Sequence, residues 1–530
     1  MIQVQISEPE DEVLPDAKSP LIPIVLCLFA AMGGFVFGYD TGTISGFINL
    51  PVFLEKFGQY SDVTHKYYFS NVRSGLIIAI FSVGCFGGTH VGAELADRIG
   101  RRIGIMIATG IYIIGILIQI TAMDKWYQYF VGRIVAGVAV GALSVLVPMF
   151  QSEASPKNIR GALVSSFQLF ITLGIFVGYC VTFGTKDRPD TGSYRIPLGL
   201  SFLWALILII GMVAMPESPR YLVSKDRIED ARRSVARTNK VPIDDPFVDA
   251  EVEEIQQNIN FERLAGKASW GELVTGQPRI FYRLWVGIFI QIFQQLCGAN
   301  YFFYYGTSIF QAVGMEDSFA TSMIFGAVNF LSTFAGIYNV EKFGRRNTLI
   351  VGAAVMFACF LVFSTLGFNN LYPGGNTHLD SVKPVGNAMI FLTCLFIAAF
   401  AASWAPICYV VVSETYPLRI KSKGMAIATS GNWFANFLIS FFTPFITHDI
   451  GFKYGYVFTG CCAAAGIFVY FFVPETKGLT LEQVDEMYES GVKPWLSSSW
   501  VPSVKPHHST INDPSAHSYE KNEIHHEPIV

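Results

Sequence analysis

Apolar runs too long for a soluble core recur along this chain, each closed off by a short polar or charged connection. Twelve are long enough to cross a bilayer as helices: 21–47, 74–96, 103–122, 127–150, 160–184, 194–214, 281–312, 319–340, 347–368, 386–413, 423–446 and 454–473. Six precede a charge-dense stretch and six follow it. The pattern predicts an all-α membrane protein of twelve transmembrane helices. Its expected division is an N-terminal segment 1–20, a six-helix half 21–214, a linker 215–280, a second six-helix half 281–474 and a tail 475–530. In the linker, the helical spacing of Ile228, Ala231 and Val235, and of Ile255 and Ile259, predicts short amphipathic helices. They either cover the loops above them or act as a latch. The tail after Gly491 is rich in Ser, Pro and His and is expected to be disordered. Its His507/His508 and His525/His526 pairs have no Cys or acidic cage beside them, so no metal site is expected there.

Composition agrees. Hydrophobic residues make up 52% of the 530 and charged residues 15%, against roughly a quarter in soluble domains. Most Lys and Arg outside the spans fall in the even-numbered connections, which places those loops and both termini in the cytoplasm. The opening "MIQVQISEPEDEVLPDAKSP" is acidic and lacks a basic start, so no cleaved signal peptide is expected. All nine cysteines lie inside predicted spans and read as small buried apolar residues rather than a disulfide framework.

The chain repeats itself. "GAELADRIGRR" from Gly92 returns as "GIYNVEKFGRR" from Gly336, carrying Asp97 to Glu341, Gly100 to Gly344, and Arg101/Arg102 to Arg345/Arg346 at one offset of 244 residues. "SEASPKNIRG" from Ser152 is answered by "SETYPLRIKSKG" from Ser413, and "PESPR" from Pro216 by "PETKG" from Pro474. Parallel repeats of this kind build transporters whose site lies between the halves near the membrane centre. The acids and bases (Glu153 with Arg160, Glu217 with Arg220, Glu414 with Arg419 or Lys421, and the G-R-R loops) form a charged belt at one membrane face. The belt either latches the two halves together there or only fixes topology.

One span poses a chemical question. "GIFIQIFQQLCGANYFFYYG" (287–306) carries Gln291, Gln294, Gln295 and Asn300 where each unpaired amide costs kilocalories. On a regular helix the three glutamines share an arc of about 100°, but Asn300 falls about 140° from Gln295. All four reach one cavity only if the helix unwinds, and Gly298 permits that. Gln168, Asn329, and Asn432 beside Trp433 offer the same chemistry in other spans. Primary amides donate and accept, so they suit hydroxyl groups, while aromatic faces suit the C–H side of a pyranose. The alternative is that such amides only hold helices together. A pocket of amides and aromatics argues for a neutral polyhydroxylated solute and against ions and peptides. Two charges do sit at depth, Asp40 and Arg133, and intramembrane charges are functional candidates.

The stretches "GYDTGTISG" (38–46), the two G-R-R loops, "PESPRYL", "QQLCGAN" and "PETKGLTLEQVDEMY" resemble the sugar porter family of the major facilitator superfamily, over about residues 25–502. The stretch from Ser403 to Ile446 and "KPWLSSSWVPS" are most similar to fungal hexose transporters. The resemblance implies the major facilitator fold, with two pseudo-symmetric six-helix halves. It implies sugar contacts from Gln168, Gln294, Gln295, Asn300, Asn329, Asn432 and Trp433, with Phe37 and Tyr304 at further contact positions. Tyr409 stands where relatives carry a tryptophan, and Gln291 matches no such position. It also implies that Asp40 is the proton-coupling position of symporters, although facilitators keep the same acid. The expected function is hexose transport by alternating access, as facilitated diffusion or as proton symport. A transporter-like sugar receptor is the other reading, and its test is uptake by purified protein. No H-E-x-x-H, G-x-S-x-G or phosphate-cradling loop is present, so no enzyme and no cofactor are expected. Expected partners are a neutral sugar, the lipid bilayer and, in the symport reading, protons, with no nucleic acid. The unit is expected to be a monomer in the plasma membrane.

Overall fold

In lipid, apolar helices gain little by hiding from water, so small residues and a few polar groups decide which of them pack. The computed structural model describes residues 21–62, 65–123, 125–155, 159–264, 270–277, 279–304, 318–371, 379–479 and 481–502. Among the described residues, ten continuous helical stretches are long and apolar enough to cross a membrane. One, Lys421–Phe472, folds back at Gly451 into two helices, and the shorter apolar helix Ile280–Leu296 adds a further crossing, which makes twelve.

In chain order these are α1 (Leu21–Phe47), α2 (Asn71–Ile99), α3 (Arg101–Ile120), α4 (Trp126–Ala154), α5 (Arg160–Thr185) and α6 (Gly192–Ala214). There follow α7 (Ile280–Leu296, resuming at Ala299), α8 (Ser318–Lys342), α9 (Arg345–Leu371), α10 (Leu379–Ala401, then Trp404–Thr415), α11 (Lys421–Ile450) and α12 (Tyr454–Phe472). A two-stranded hairpin (β1, Gln59–Ser61; β2, Lys66–Tyr68) lies in the α1–α2 connection.

Glycine rows set the tightest seams. Along α1, a Cβ at Gly34, Gly38 or Gly42 would stand 2.4, 1.9 or 2.5 Å from the carbonyl oxygens of Phe167, Ile171 and Ile175 on α5. Gly84 and Gly88 of α2 meet the Ile134 and Val138 carbonyls of α4 in the same way. The helices before the linker meet those after it most extensively along two seams, α2 with α11 and α5 with α8. The sequence repeat makes α2 the counterpart of α8 and α5 that of α11, so the two seams are one contact used twice.

α10 breaks at Ala402–Ser403, which its apolar run does not announce. Pro406 has no N–H for the Ala402 carbonyl one turn earlier. Asn339 of α8 donates to that carbonyl instead, at 3.2 Å.

Between α6 and α7, the helices Pro219–Ser224, Ile228–Asn239 and Pro246–Leu264 enclose a small core of their own, with Ala231, Val235, Ile255 and Ile259 inside. Arg237 donates to the Ala214 carbonyl at the end of α6 (2.8 Å) and Ser234 to that of Glu217 (2.7 Å), which seats this bundle under the first six helices. After α12, the helix Leu481–Glu489 and the 3₁₀ turn Pro494–Ser499 dock back on the protein. The expectation of disorder from Gly491 therefore fails as far as residue 502: Ser497 accepts the Glu475 N–H at 2.8 Å and ties the segment down. The histidine pairs of the tail lie outside the described residues.

Candidate functional site

α7 stops at Leu296 and restarts at Ala299, and between them Gly298 takes φ +91°, which an L side chain rarely adopts. The break brings the four amides of this helix to one place. Asn300 donates to Gln295 (2.5 Å) and Gln295 to Asn432 of α11 (2.8 Å). Asn432 donates in turn to the side chains of Gln291 (2.7 Å) and Gln294 (2.5 Å). Gln294 passes its own N–H groups to the carbonyls of Trp404 (3.3 Å) and Ala405 (2.9 Å), just past the break in α10. Five carboxamides thus form one connected network. Gln291, which matches no family contact position, is a full member of it.

Gln291, Gln294 and Asn432 are buried, whereas Gln295 and Asn300 are only half so and form the open end of the network. Buried Nε2 of Gln291 has no partner among the described residues, so the cluster keeps a spare donor. The aromatic groups are close by. Trp433 follows Asn432, donates its indole N–H to Ser144 of α4 (3.2 Å) and meets the Phe37 ring of α1 edge-on at 5.1 Å. The Tyr304 hydroxyl accepts from Asn436 of α11 (3.5 Å). Tyr179 of α5 donates to the Phe303 carbonyl (2.9 Å), joining the first six helices to the resumed part of α7. Tyr305 lies outside the described residues.

Gln168 and Asn329 do not join this network. Gln168 is buried on α5 and makes no side-chain hydrogen bond among the described residues. Asn329 of α8 has a buried Oδ1 without a partner. One helical turn from each, Thr333 donates to Thr172 at 3.3 Å across the α5–α8 seam. The two amides therefore flank that contact on opposite sides. Tyr409 packs edge-on to Phe167 of α5 at 5.4 Å.

Asp40 and Arg133 form an ion pair at 2.5 Å, each side chain 3% exposed, with the guanidinium 4.5 Å over the Phe81 ring. Phe81 also touches Trp433 at 6.1 Å, so this pair is one ring away from the tryptophan beside the amides.

The charged face corrects the sequence-based pairing. Glu153 is bound by Arg101 (2.9 and 3.2 Å) and Ser218 (2.6 Å), not by Arg160. Glu217 accepts the backbone N–H groups of Arg101, Arg102 and Ser218 at 3.0–3.1 Å, not Arg220. The second half repeats this residue for residue in its main contacts. Glu414 is bound by Arg345 (2.7 and 3.1 Å) and Thr476 (2.7 Å), and Glu475 accepts the N–H groups of Arg345 (2.9 Å) and Arg346 (3.0 Å). Arg419 pairs with Glu272 of the linker instead of Glu414. The reason is geometric. Gly100 and Gly344 take φ +99° and +83°, so the chain turns with its amide groups aimed at Glu217 and Glu475, where a Cβ would collide with the carboxylate. These arginine–glutamate clusters tie helix ends together within one half.

Contacts between the halves use other atoms. Lys423 of α11 donates to Asp97 at 3.1 Å, and Glu341 accepts the Ala162 N–H at the start of α5 at 2.8 Å. Lys421, fully buried, donates to Ser152 at 2.9 Å, and Thr89 meets Ser430 at 2.6 Å. Lys423 was missed from the sequence, although it stands two residues after Lys421 on a span start.

A family model described as "Sugar (and other) transporter" matches residues 26–488. A low-affinity glucose transporter of Kluyveromyces lactis is 57% identical over 489 residues, 92% of this chain and 86% of that protein. The low-affinity glucose transporter HXT3 of Saccharomyces cerevisiae is 55% identical over 482 residues, 90% of this chain and 84% of that protein. Among solved structures, the proton:xylose symporter XylE bound to 6-bromo-6-deoxy-D-glucose superposes with a TM-score of 0.76 at 27% identity, over 88% of this chain and 99% of that one.

Proposed function

Because the chain belongs to the sugar transporter family, a multi-pass membrane fold of the major facilitator type, we propose that it carries hexose across the membrane by alternating access. The observation that carries this reading is the five-carboxamide network of α7 and α11, uncharged and open at Gln295 and Asn300. Each amide bond in it can be exchanged for a bond to a sugar hydroxyl of either polarity, so binding leaves no amide stranded. Trp433 and Phe37 supply apolar faces beside it. Gln168 and Asn329, on either side of the Thr172–Thr333 contact, offer further donors and acceptors from the α5–α8 seam.

The halves are held shut at the charged face by Asp97–Lys423, Glu341–Ala162 and Lys421–Ser152, and this face is cytoplasmic by the distribution of Lys and Arg. The arginine–glutamate clusters (Arg101 and Arg102 with Glu153 and Glu217; Arg345 and Arg346 with Glu414 and Glu475) keep each half rigid, so the halves rock as units. Arg160 and Arg220 border the same closed face. Both termini are then cytoplasmic, the site of action is the plasma membrane, and a monomer suffices.

Uptake of glucose by purified protein in liposomes tests the reading, with Gln295→Ala and Asn300→Ala each lowering it at least tenfold at sub-saturating sugar. Normal uptake by both variants overturns it.

Proton coupling is a second reading favoured by one observation, the Asp40–Arg133 pair one ring from Trp433. In facilitated diffusion the pair stays charged and braces α1 on α4. In symport it opens once per cycle. An imposed pH gradient that drives glucose accumulation in liposomes selects symport, and its failure to do so selects facilitated diffusion.

A further inference from the structure

Arg283 is the one charge buried in α7, two turns below Gln291. Its guanidinium is fully buried and lies 4.1 Å over the ring of Tyr488. It donates to the Thr415 carbonyl at the end of α10 (3.3 Å) and, through both terminal nitrogens, to Asp485: one to the carboxylate and one to the backbone carbonyl (3.4 Å). Tyr416 donates to the carbonyl of Arg283 itself at 3.5 Å. Asp485 and Tyr488 belong to the helix Leu481–Glu489, outside the twelve crossings, whose Val484, Met487 and Tyr488 are buried against Tyr282 and Trp500. Asp485 is the only carboxylate that Arg283 meets among the described residues.

We propose that Asp485 is a positioning residue for sugar binding: through Arg283 it fixes the lower half of α7, which carries Gln291, Gln294 and Gln295. The inference rests on the reading of those amides as the sugar site. A helix from Ile280 to Leu296 without a break moves as a rod. Its upper end at Leu296 is followed by the Gly298 break, so the resumed segment from Ala299 does not hold it in register. Its lower end has the clamp. An unpaired buried guanidinium would draw water or shift toward it, and because the rod is stiff the displacement reaches the amides. A shift of a fraction of an ångström is enough to weaken amide–hydroxyl bonds, whose strength falls steeply with distance and angle. The helix after the last crossing is therefore part of the binding apparatus although it touches no substrate.

The test is entry kinetics of purified full-length protein in liposomes, with turnover normalised to the protein inserted. Asp485→Asn is expected to raise the KM for glucose at least threefold while the saturated turnover stays within twofold. Asp485→Glu, which keeps the charge, returns KM most of the way. So does the double neutral variant Arg283→Gln with Asp485→Asn, because no buried charge is left alone. A wild-type KM in Asp485→Asn, with only less protein in the membrane, overturns the proposal and assigns the helix to folding alone. Should Asp485→Asn not insert, Tyr488→Leu leaves both charges and removes the ring beneath the guanidinium. It must raise KM in the same direction, and an unchanged KM overturns the proposal. Wild-type protein that takes up no sugar would instead sink the sugar-site reading, so the two failures are distinguishable.

Discussion

Asp97→Asn and Glu414→Gln remove one carboxylate each from the same membrane face, and the geometry assigns them opposite consequences. The Asp97–Lys423 contact spans the two halves at 3.1 Å, with side chains 35% and 14% exposed. A partly hydrated pair of this kind is worth about 0.5–1 kcal/mol, and it exists only while the face is closed. Its loss should shift the closed-to-open ratio about two- to fivefold, since every 1.4 kcal/mol is tenfold. The Arg345–Glu414 pair is buried, bidentate and shared with Thr476, and it lies within one half. Leaving Arg345 unpaired there costs about 3–5 kcal/mol, charged alike to the open and closed forms. So Asp97→Asn is expected to raise KM for sugar entering from the opposite face about two- to fivefold, to lower KM for exit, and to leave the melting temperature within a degree or two. Glu414→Gln is expected to lower the melting temperature by many degrees and leave the entry-to-exit KM ratio unchanged in whatever protein folds. Oriented liposomes and a thermal unfolding series measure both. Equal melting losses in the two variants would refute the distinction, as would a shifted KM ratio in Glu414→Gln without loss of stability.

Three further outcomes follow from single positions. Gly38→Ala puts a methyl 1.9 Å from the Ile171 carbonyl, so α1 and α5 must separate by more than an ångström. Overpacking of this order costs about 1–3 kcal/mol, to be read as a lower melting temperature and a raised KM because Phe37 and Gln168 ride on that seam. Gly298→Ala combines φ +91° with a Cβ 2.7 Å from the Phe458 ring, and straightening α7 should separate Asn300 from Gln295 and cut uptake at least tenfold while the protein still reaches the membrane. Glu251 of the linker bundle lines a cavity of about 30 Å³ with Glu153 and Glu217. Burial, aided by Glu254, pushes its carboxyl up to about 7. A carboxyl raised on folding stabilises the bundle in acid, and that stability is lost as pH climbs from its unfolded value through 7. Melting should therefore be lower at pH 8 than at pH 5.5, and Glu251→Gln should flatten that slope.

The crossings were legible because lipid imposes one requirement that composition records directly, long uncharged runs. The unwinding of α7 was legible for a related reason, since polar side chains on two faces of one apolar helix and a glycine between them leave few other conformations. The break in α10 was signalled only by Pro406, a residue that many helices absorb, and what makes it a break is an acceptor at Ala402 with Asn339 ready to serve it. Arg283 was not singled out from the sequence, because a charge at a span edge is ordinary and its partner is an aspartate two hundred residues later. Contacts of that range have no period to betray them. Gln168 and Asn329 were named from residue type, and their distance from the α7–α11 network depends on the tilt of α5 against α8, which no pattern in the chain encodes.

The repeated motifs misled for an instructive reason. Acids and bases that recur together suggest pairs between the recurring partners, and the eye joins the two copies across the middle. In the fold, duplication instead makes each half build the same internal brace, Arg101 with Glu153 and Glu217, Arg345 with Glu414 and Glu475. The contact between halves is duplicated as well, but in disguise. Asp97 and Glu341 are equivalent at the 244-residue offset, and Lys423 is equivalent to Ala162 at 261 residues, the spacing that carries Glu153 to Glu414. One acid therefore meets an ammonium and the other a backbone N–H at the same place, the first turn of the facing helix. The common principle is a carboxylate set against a helix N-terminus, where the orphan amides and the macrodipole favour negative charge. A lysine reinforces it on one seam, and on the other the Arg345 guanidinium lies beside Glu341 over Gly161. Counting charges reveals the first and hides the second, because a carboxylate received by a backbone N–H leaves no partner to count in the sequence.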